Sequence, residues 1–69
     1  MKDRQKIYLT GPQVRRRYGG ISQMALWRWV HEDKVDFPKP DLILNGRHLW
    51  EESTLDAFDA RQAAKMEAA

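Results

Sequence analysis

The stretch ISQMALWRWV, residues 21–30, carries side chains of the kinds that recognise base edges in DNA. Gln23 and Arg28 can each form two parallel hydrogen bonds, to adenine and to guanine respectively, and Met24 offers apolar contact to a thymine methyl group. Such chemistry requires the three side chains to share one exposed face of a regular element. The spacing of the apolar residues around them indicates which element that is.

A helix that begins after Ser22 would present these side chains to the outside. Ser22 is a favoured N-cap residue, and a step of 100° per residue groups Leu26, Val30 and Trp29 on the buried side. The opposite side is predicted to be exposed and carries Gln23, Met24, Trp27, Arg28 and His31. Trp27 lies at the boundary between the faces. Spacing alone also allows an ordinary helical hairpin whose outer face meets only water, but an exposed tryptophan favours a binding face.

A shorter helix is predicted just before it, in LTGPQVRRRYGG. Thr10 and Gln13 form a capping-box pattern, and Gly19 and Gly20 can take the positive φ that ends a helix. Two short helices joined by a tight glycine turn are typical of a helix-turn-helix, whose second helix enters the major groove.

The first helix also carries basic residues. Arg15 and Arg16 point away from Val14, on the side that crosses the phosphate backbone in this architecture. The residues fit two interpretations equally well, a phosphate clamp and a solvated face.

The helical spacing of the apolar residues ends in the stretch FPKPDLILNGRHLW. Asn45 and Gly46 are a strong signal for a two-residue hairpin turn. The predicted cross-strand pairs are Leu44 with Arg47, Ile43 with His48, and Leu42 with Leu49. The pattern does not decide which face is buried. The tip, residues 45–48, would protrude as a wing. Its Arg47 and His48 would contact DNA phosphates or the neighbouring minor groove, the alternative being a solvated loop.

The chain is predicted to form one domain. Residues 1–7 are expected to be a flexible basic arm, residues 8–62 the folded domain, and residues 63–69 a frayed tail. In the last helix Leu55 and Phe58 are the only clear apolar anchor.

Composition narrows the class of protein. Of the 69 residues, 42% are hydrophobic and 32% charged, and there is no cysteine, which is a globular balance without disulfides or thiolate metal sites. No apolar run reaches a membrane span or a signal peptide, so a cytoplasmic, nucleoid-associated location is expected. Residues 1–50 carry ten Lys and Arg against five acids, and residues 51–69 carry two against five. Such asymmetry fits two interpretations equally well, a face that meets polyanions and ordinary solvated charge on a small domain.

From Tyr8 to about Ala60 the sequence resembles the short AlpA-type phage regulators and excisionase-like proteins of the MerR-like winged-helix group. The matching features are YLT and RYGG around the first helix, LWRWV in the second, FPKP before the hairpin, NGR at its tip, and W followed by STLDAF at the end. The connection HEDKVD, residues 31–36, is longer than in many members and lacks their glycine.

The resemblance implies a winged helix-turn-helix, mainly α with a small β-hairpin, that controls prophage genes or assists site-specific excision. It implies that Leu26, Trp29 and Trp50 belong to the core. The expected DNA-binding residues, from the residues and the resemblance together, are Arg15, Arg16, Ser22, Gln23, Met24, Trp27, Arg28, His31, Arg47 and His48.

Double-stranded DNA is therefore the expected partner, with self-association or a recombinase or transcription partner left open. No membrane, small-molecule substrate, cofactor or metal is expected, because His31 and His48 stand 17 residues apart with no further ligand pattern. No catalytic residues are expected, since neither a nucleophile elbow nor a phosphate-binding glycine loop is present. The alternative function is a small protein-interaction adaptor that uses the exposed Trp27 face.

Overall fold

The computed structural model describes residues 6–32 and 34–68 as a small mixed α/β domain. The elements are β1 (Tyr8–Thr10), α1 (Gly11–Arg17), α2 (Gln23–His31), β2 (Leu42–Leu44), β3 (Arg47–Glu51) and α3 (Glu52–Ala68). The three strands form one antiparallel sheet in the order β1-β3-β2. In the described part of the chain, no helix combines the length and the apolar character needed to cross a membrane.

The strand β1 corrects the prediction of a mainly α domain with only a hairpin. Its residues pair with β3 in the register Tyr8 with Glu51, Leu9 with Trp50, and Thr10 with Leu49. The pairing continues one residue beyond the strand, where the Glu52 backbone N–H donates to the Ile7 carbonyl at 2.8 Å. Ile7, the last residue of the predicted arm 1–7, is thus tied to the sheet edge, and residues 1–5 lie outside the described residues.

The helix α1 begins as the sequence predicts. The Thr10 hydroxyl accepts from the Gln13 backbone N–H, and the Gln13 side chain accepts from the Thr10 N–H at 2.9 Å, which is a complete capping box. Gly19 and Gly20 follow the helix with φ of 88° and 77°. Both predicted ends of α1 are therefore confirmed. Ser22 follows the turn after one further residue, and its hydroxyl accepts from the Ala25 N–H at 3.0 Å and so caps α2.

The hairpin is confirmed in register. Leu42 pairs with Leu49, Ile43 with His48, and Leu44 with Arg47. Asn45 and Gly46 have φ of 50° and 78°, and a two-residue turn with both central residues at positive φ matches the twist of the strands that it joins.

The core lies between the three helices and one face of the sheet. Its buried residues are Val14, Leu26, Phe37, Trp50, Leu55 and Phe58. Phe37 is central, with its ring centroid 4.9 Å from that of Phe58 and 5.6 Å from those of Tyr18 and Trp29. Trp29 lies at the core edge as predicted, and Trp50 also donates its indole N–H to the Pro38 carbonyl at 3.0 Å.

The last helix packs through its first half, as predicted from Leu55 and Phe58, which are both buried. It continues as a regular helix through the segment predicted to be a frayed tail, residues 63–69, as far as Ala68. Strong helix formers in AAKMEA explain this continuation, because alanine, lysine, methionine and glutamate all favour helix in the absence of tertiary contacts.

Candidate nucleic-acid interface

A groove of about 730 Å³ runs between α2, the start of α1 and the hairpin. Its floor is apolar and includes Leu26, Val30 and Trp50. Cations line it from three parts of the chain: Arg15 in α1, Lys39 in the segment before β2, and Arg47 in β3. Gln23, Trp27, His31 and His48 also line the groove. The site thus combines elements that are distant in sequence.

The charges of the groove are of one sign. None of the described carboxylates lines it. A different cation, Arg17, faces α3 instead, where its guanidinium forms ion pairs with Asp56 and Asp59. Two carboxylates of the acidic segment, residues 51–69, are therefore paired with Arg17 on another side of the domain. None of the described carboxylates lies beside the cations of the groove, which leaves them available to an anionic ligand.

The Arg17 cluster also fixes the protonation states around it. Hydrogen bonds to Asp56 and Asp59 raise the pKa of Arg17. Burial, followed by the hydrogen bond to Asp59 at 2.7 Å, raises the pKa of Tyr18 to about 12. Burial opposes ionisation of Asp59, but the hydrogen bonds from Tyr18 and Arg17 outweigh it and hold the pKa of Asp59 below its usual value. The cluster joins α1 to α3 and lies away from the groove.

The outer face of α2 is exposed as the helical spacing predicts. Met24 and Trp27 are 62% and 56% exposed, and Gln23, Arg28 and His31 are exposed as well. The structure divides this face in two. Gln23, Trp27 and His31 turn toward the groove, whereas Met24 and Arg28 lie beyond its lining.

Trp27 and His31, one helical turn apart, form a stacked pair. Their ring centroids are 4.2 Å apart and their planes differ by 20°. The His31 Nδ1 atom lies 2.9 Å from the Trp27 carbonyl oxygen. The stack covers one side of the indole and holds both rings in a defined orientation.

Three predicted site residues have other surroundings. Ser22 uses its hydroxyl to cap α2, and Arg15 donates from Nε to the Ile21 carbonyl at 3.1 Å. Arg15 therefore has a structural contact in the turn between α1 and α2 while it still borders the groove. Arg16 is exposed and borders a smaller hollow of about 200 Å³ beside Gly20 and Ile21.

Sequence reasoning did not single out Lys39. Its position between Pro38 and Pro40 indicates extended backbone. Nothing in the local sequence indicates that it lies near α2. Asn45 lies outside the groove lining, whereas Arg47 and His48 from the predicted wing tip are part of it. Across the described residues, no group of three His, Asp or Glu side chains is placed to hold a metal ion.

No protein-family model matches the chain, and neither a curated protein nor a solved structure matches it. The resemblance to AlpA-type and excisionase-like regulators accordingly rests on the residues quoted for it above.

Proposed function

We propose that this protein binds duplex DNA sequence-specifically, with α2 in the major groove. The residues suited to base contacts are Gln23, Met24 and Arg28, and all three are exposed on a helix that begins at a defined cap and follows a tight turn. An arginine or glutamine on such a helix can form paired hydrogen bonds to a purine edge. In this proposal, α1, the turn and α2 act as a helix-turn-helix, and the hairpin acts as its wing.

The observation that carries the proposal is the segregation of charge. Arg15, Lys39 and Arg47 come together at a groove that no described carboxylate lines, although the formal net charge of the chain is only +2. Cations clustered without counter-charges favour a polyanion, because neutralising phosphates releases condensed counterions. In the proposed complex, one phosphate backbone follows the cations of the groove. Met24 and Arg28 on the outer face of α2, together with Gln23 at the first turn of the helix, meet the bases.

The biological role that we propose follows from the sequence resemblance. A small regulator of prophage genes, or a factor that assists excision by a recombinase, needs a compact duplex-binding domain without a cofactor. A single module of this size buries roughly 600 to 1,000 Å² on DNA. Tight occupancy therefore requires several copies on neighbouring sites or a partner protein on the same DNA.

A second candidate function is supported by the exposed apolar side chains. Trp27 and Ile43 are 56% and 61% exposed and both line the groove, above a floor that includes Leu26 and Val30. A partner protein could bury these residues as a hot spot, since tryptophan is enriched in such sites. The cationic rim would then select an acidic partner.

The experiment that tests the proposal is selection of bound sites from a random duplex pool, followed by salt titration of the enriched sequence. Sequence-specific binding predicts an enriched motif, and each neutralised phosphate contributes about −0.9 to the slope of log K against log salt. An adaptor predicts no enriched motif and weak, sequence-independent binding. That result would favour the second candidate function, in which the groove binds a partner protein.

A further inference from the structure

His31 has only one ring nitrogen available to a ligand. Its Nδ1 atom lies 2.9 Å from the carbonyl oxygen of Trp27. A carbonyl oxygen can only accept a hydrogen bond, so Nδ1 carries a hydrogen in this contact. In neutral His31, Nε2 is therefore a bare acceptor, and a second proton is needed before it can donate.

The surroundings of His31 favour an anion at Nε2. The groups that face it across the groove are Arg15 from α1, Lys39 from the segment before β2, and Arg47 and His48 from β3. On its own helix, Arg28 lies one turn before it. Glu32, the residue that follows in the chain, is exposed and does not line the groove.

We propose that His31 binds a DNA phosphate as the imidazolium, so that formation of the complex takes up one proton at Nε2. This inference rests on the proposed function, because the phosphate is that of the bound duplex. A neutral ring would direct the Nε2 lone pair at a phosphate oxygen and repel it. The proton comes from the solvent, forms the Nε2–H bond that donates to the phosphate, and returns to the solvent when the DNA dissociates.

The stack with Trp27 supports the charged form of the ring. A cation over an indole face is attracted by the ring quadrupole, and the centroids are 4.2 Å apart with nearly parallel planes. The same stack fixes the direction of Nε2. Trp27 therefore acts as a positioning residue for His31.

His48 provides a matched control within the same groove. Its ring makes an edge contact to Trp50, with centroids 6.4 Å apart, and the ring forms no hydrogen bond to any of the described residues. Either nitrogen of neutral His48 can carry the hydrogen, so His48 can donate to a phosphate without a second proton. The two histidines are thus expected to differ in their pH dependence.

The test is calorimetric titration of the selected duplex in two buffers of different ionisation enthalpy, which counts the protons taken up on binding. The full chain is compared with His31→Gln and His48→Gln, because glutamine offers an amide N–H at any pH. We expect net proton uptake on binding for the unaltered protein and for His48→Gln, and almost none for His31→Gln. The affinity for the duplex should fall as the pH rises from about 5 to about 8, by at most about tenfold per pH unit. His31→Gln should make this dependence on pH smaller.

Each alternative result has a definite meaning. Duplex binding without proton uptake would overturn the role of His31 and leave the proposed function intact. Loss of uptake in His48→Gln but not in His31→Gln would assign the proton to His48 and also overturn the inference. Failure of all three proteins to bind any duplex at pH 5 to 8 would overturn the proposed function itself. Circular dichroism on each variant establishes that the comparison is made between folded proteins.

Discussion

The Asp41 carboxylate accepts a hydrogen bond of 2.7 Å from the backbone N–H of Glu51, at the point where β3 passes directly into α3. Its other oxygen accepts from the Thr54 hydroxyl at 3.2 Å. The next N–H, that of Glu52, donates to the Ile7 carbonyl. The helix is thus capped by groups from other segments, because no loop lies between strand and helix to supply a local cap.

Replacing Asp41 with alanine should therefore destabilise the domain through the start of α3. Loss of an N-terminal cap typically costs about 1 kcal/mol, and we expect a decrease of that size in the free energy of unfolding. Asp41→Asn retains one acceptor oxygen and should cost clearly less. Urea unfolding of the two variants measures the difference, and equal losses would mean that the charge rather than the hydrogen bonds stabilises the junction.

A second prediction concerns Phe37, whose ring contacts four other aromatic rings of the core. Phe37→Leu should lower the free energy of unfolding by about 1 to 3 kcal/mol, less than the roughly 3 to 5 kcal/mol typical of Phe→Ala. Leucine is chosen instead of alanine because a core of this size supplies only about 3 to 5 kcal/mol of net stability, so the alanine variant would unfold. Tyr8→Leu, at an exposed position of the edge strand β1, is the control and should change stability by less than about 0.5 kcal/mol.

The contrast between Phe37 and the helix caps shows what the sequence could predict. The caps at Thr10 and Ser22 and the turn at Asn45 depend on residues within three or four positions, so a local pattern contains the whole interaction. Phe37 is flanked by Pro38 and carries no periodic signal. Its burial depends on where the fold places the rings of Tyr18, Trp29, Trp50 and Phe58, which come from four different parts of the chain.

The same limit applies to the site. The exposed face of α2 follows from a 100° helical step and was predicted residue by residue. The cationic groove does not follow from the sequence pattern, because Lys39 approaches α2 only once the sheet and helices are assembled. The strand β1 was missed for a related reason: three residues are too few for an alternating pattern, and their partners lie about 40 positions away in β3.

A third prediction concerns Asp36, which has a positive φ of 60° in the connection that lacks glycine. Left-handed backbone costs an L-residue roughly 1 to 2 kcal/mol, less for aspartate than for most. Asp36→Gly should therefore raise the free energy of unfolding by about 0.5 kcal/mol. Asp36→Ala removes the same carboxylate without relieving the backbone and should lower it. If the two variants respond alike in urea unfolding, the charge at this position matters and the backbone conformation does not.

A fourth prediction is that the Tyr18–Asp59 contact makes stability fall at both extremes of pH. The pKa of Asp59 is lowered in the folded protein. As the pH falls, Asp59 is therefore protonated in the unfolded chain before it is protonated in the folded one, and stability is lost below about 3.8, the usual aspartate value. The pKa of Tyr18 is raised from 10.0 to about 12. The unfolded chain therefore releases that proton first, and stability is lost as pH rises from about 10 to about 12.

Tyr18→Phe isolates this effect, because it removes the hydroxyl and retains the aromatic contacts. Urea midpoints measured across the pH range should show that the loss above pH 10.0 becomes smaller in the variant. The acid-side loss should also shrink, since Asp59 then retains only its contact with Arg17. An unchanged alkaline profile in Tyr18→Phe would mean that other groups cause it.

A fifth prediction separates base contacts from phosphate contacts on the proposed DNA-binding surface. Arg28 lies on the outer face of α2, beyond the groove, so Arg28→Ala should weaken binding to the selected duplex by about 1 to 3 kcal/mol and relax the preference at one base position. Lys39 lines the groove. Lys39→Ala should weaken binding to all sequences alike and reduce the salt slope by about 0.9.

Lys65→Ala is the matched control for Lys39→Ala, because it removes the same charge from an exposed position near the end of α3. It should leave the salt slope and the base preferences unchanged. The measurement is fluorescence anisotropy of a labelled duplex at several salt concentrations, repeated with single-base substitutions of the site. If Arg28→Ala weakened every duplex equally, Arg28 would be a phosphate contact and the readout would belong to Gln23 and Met24. If Lys65→Ala matched Lys39→Ala, only the net charge of the protein would be attracting the DNA, and the groove would have no special part in binding.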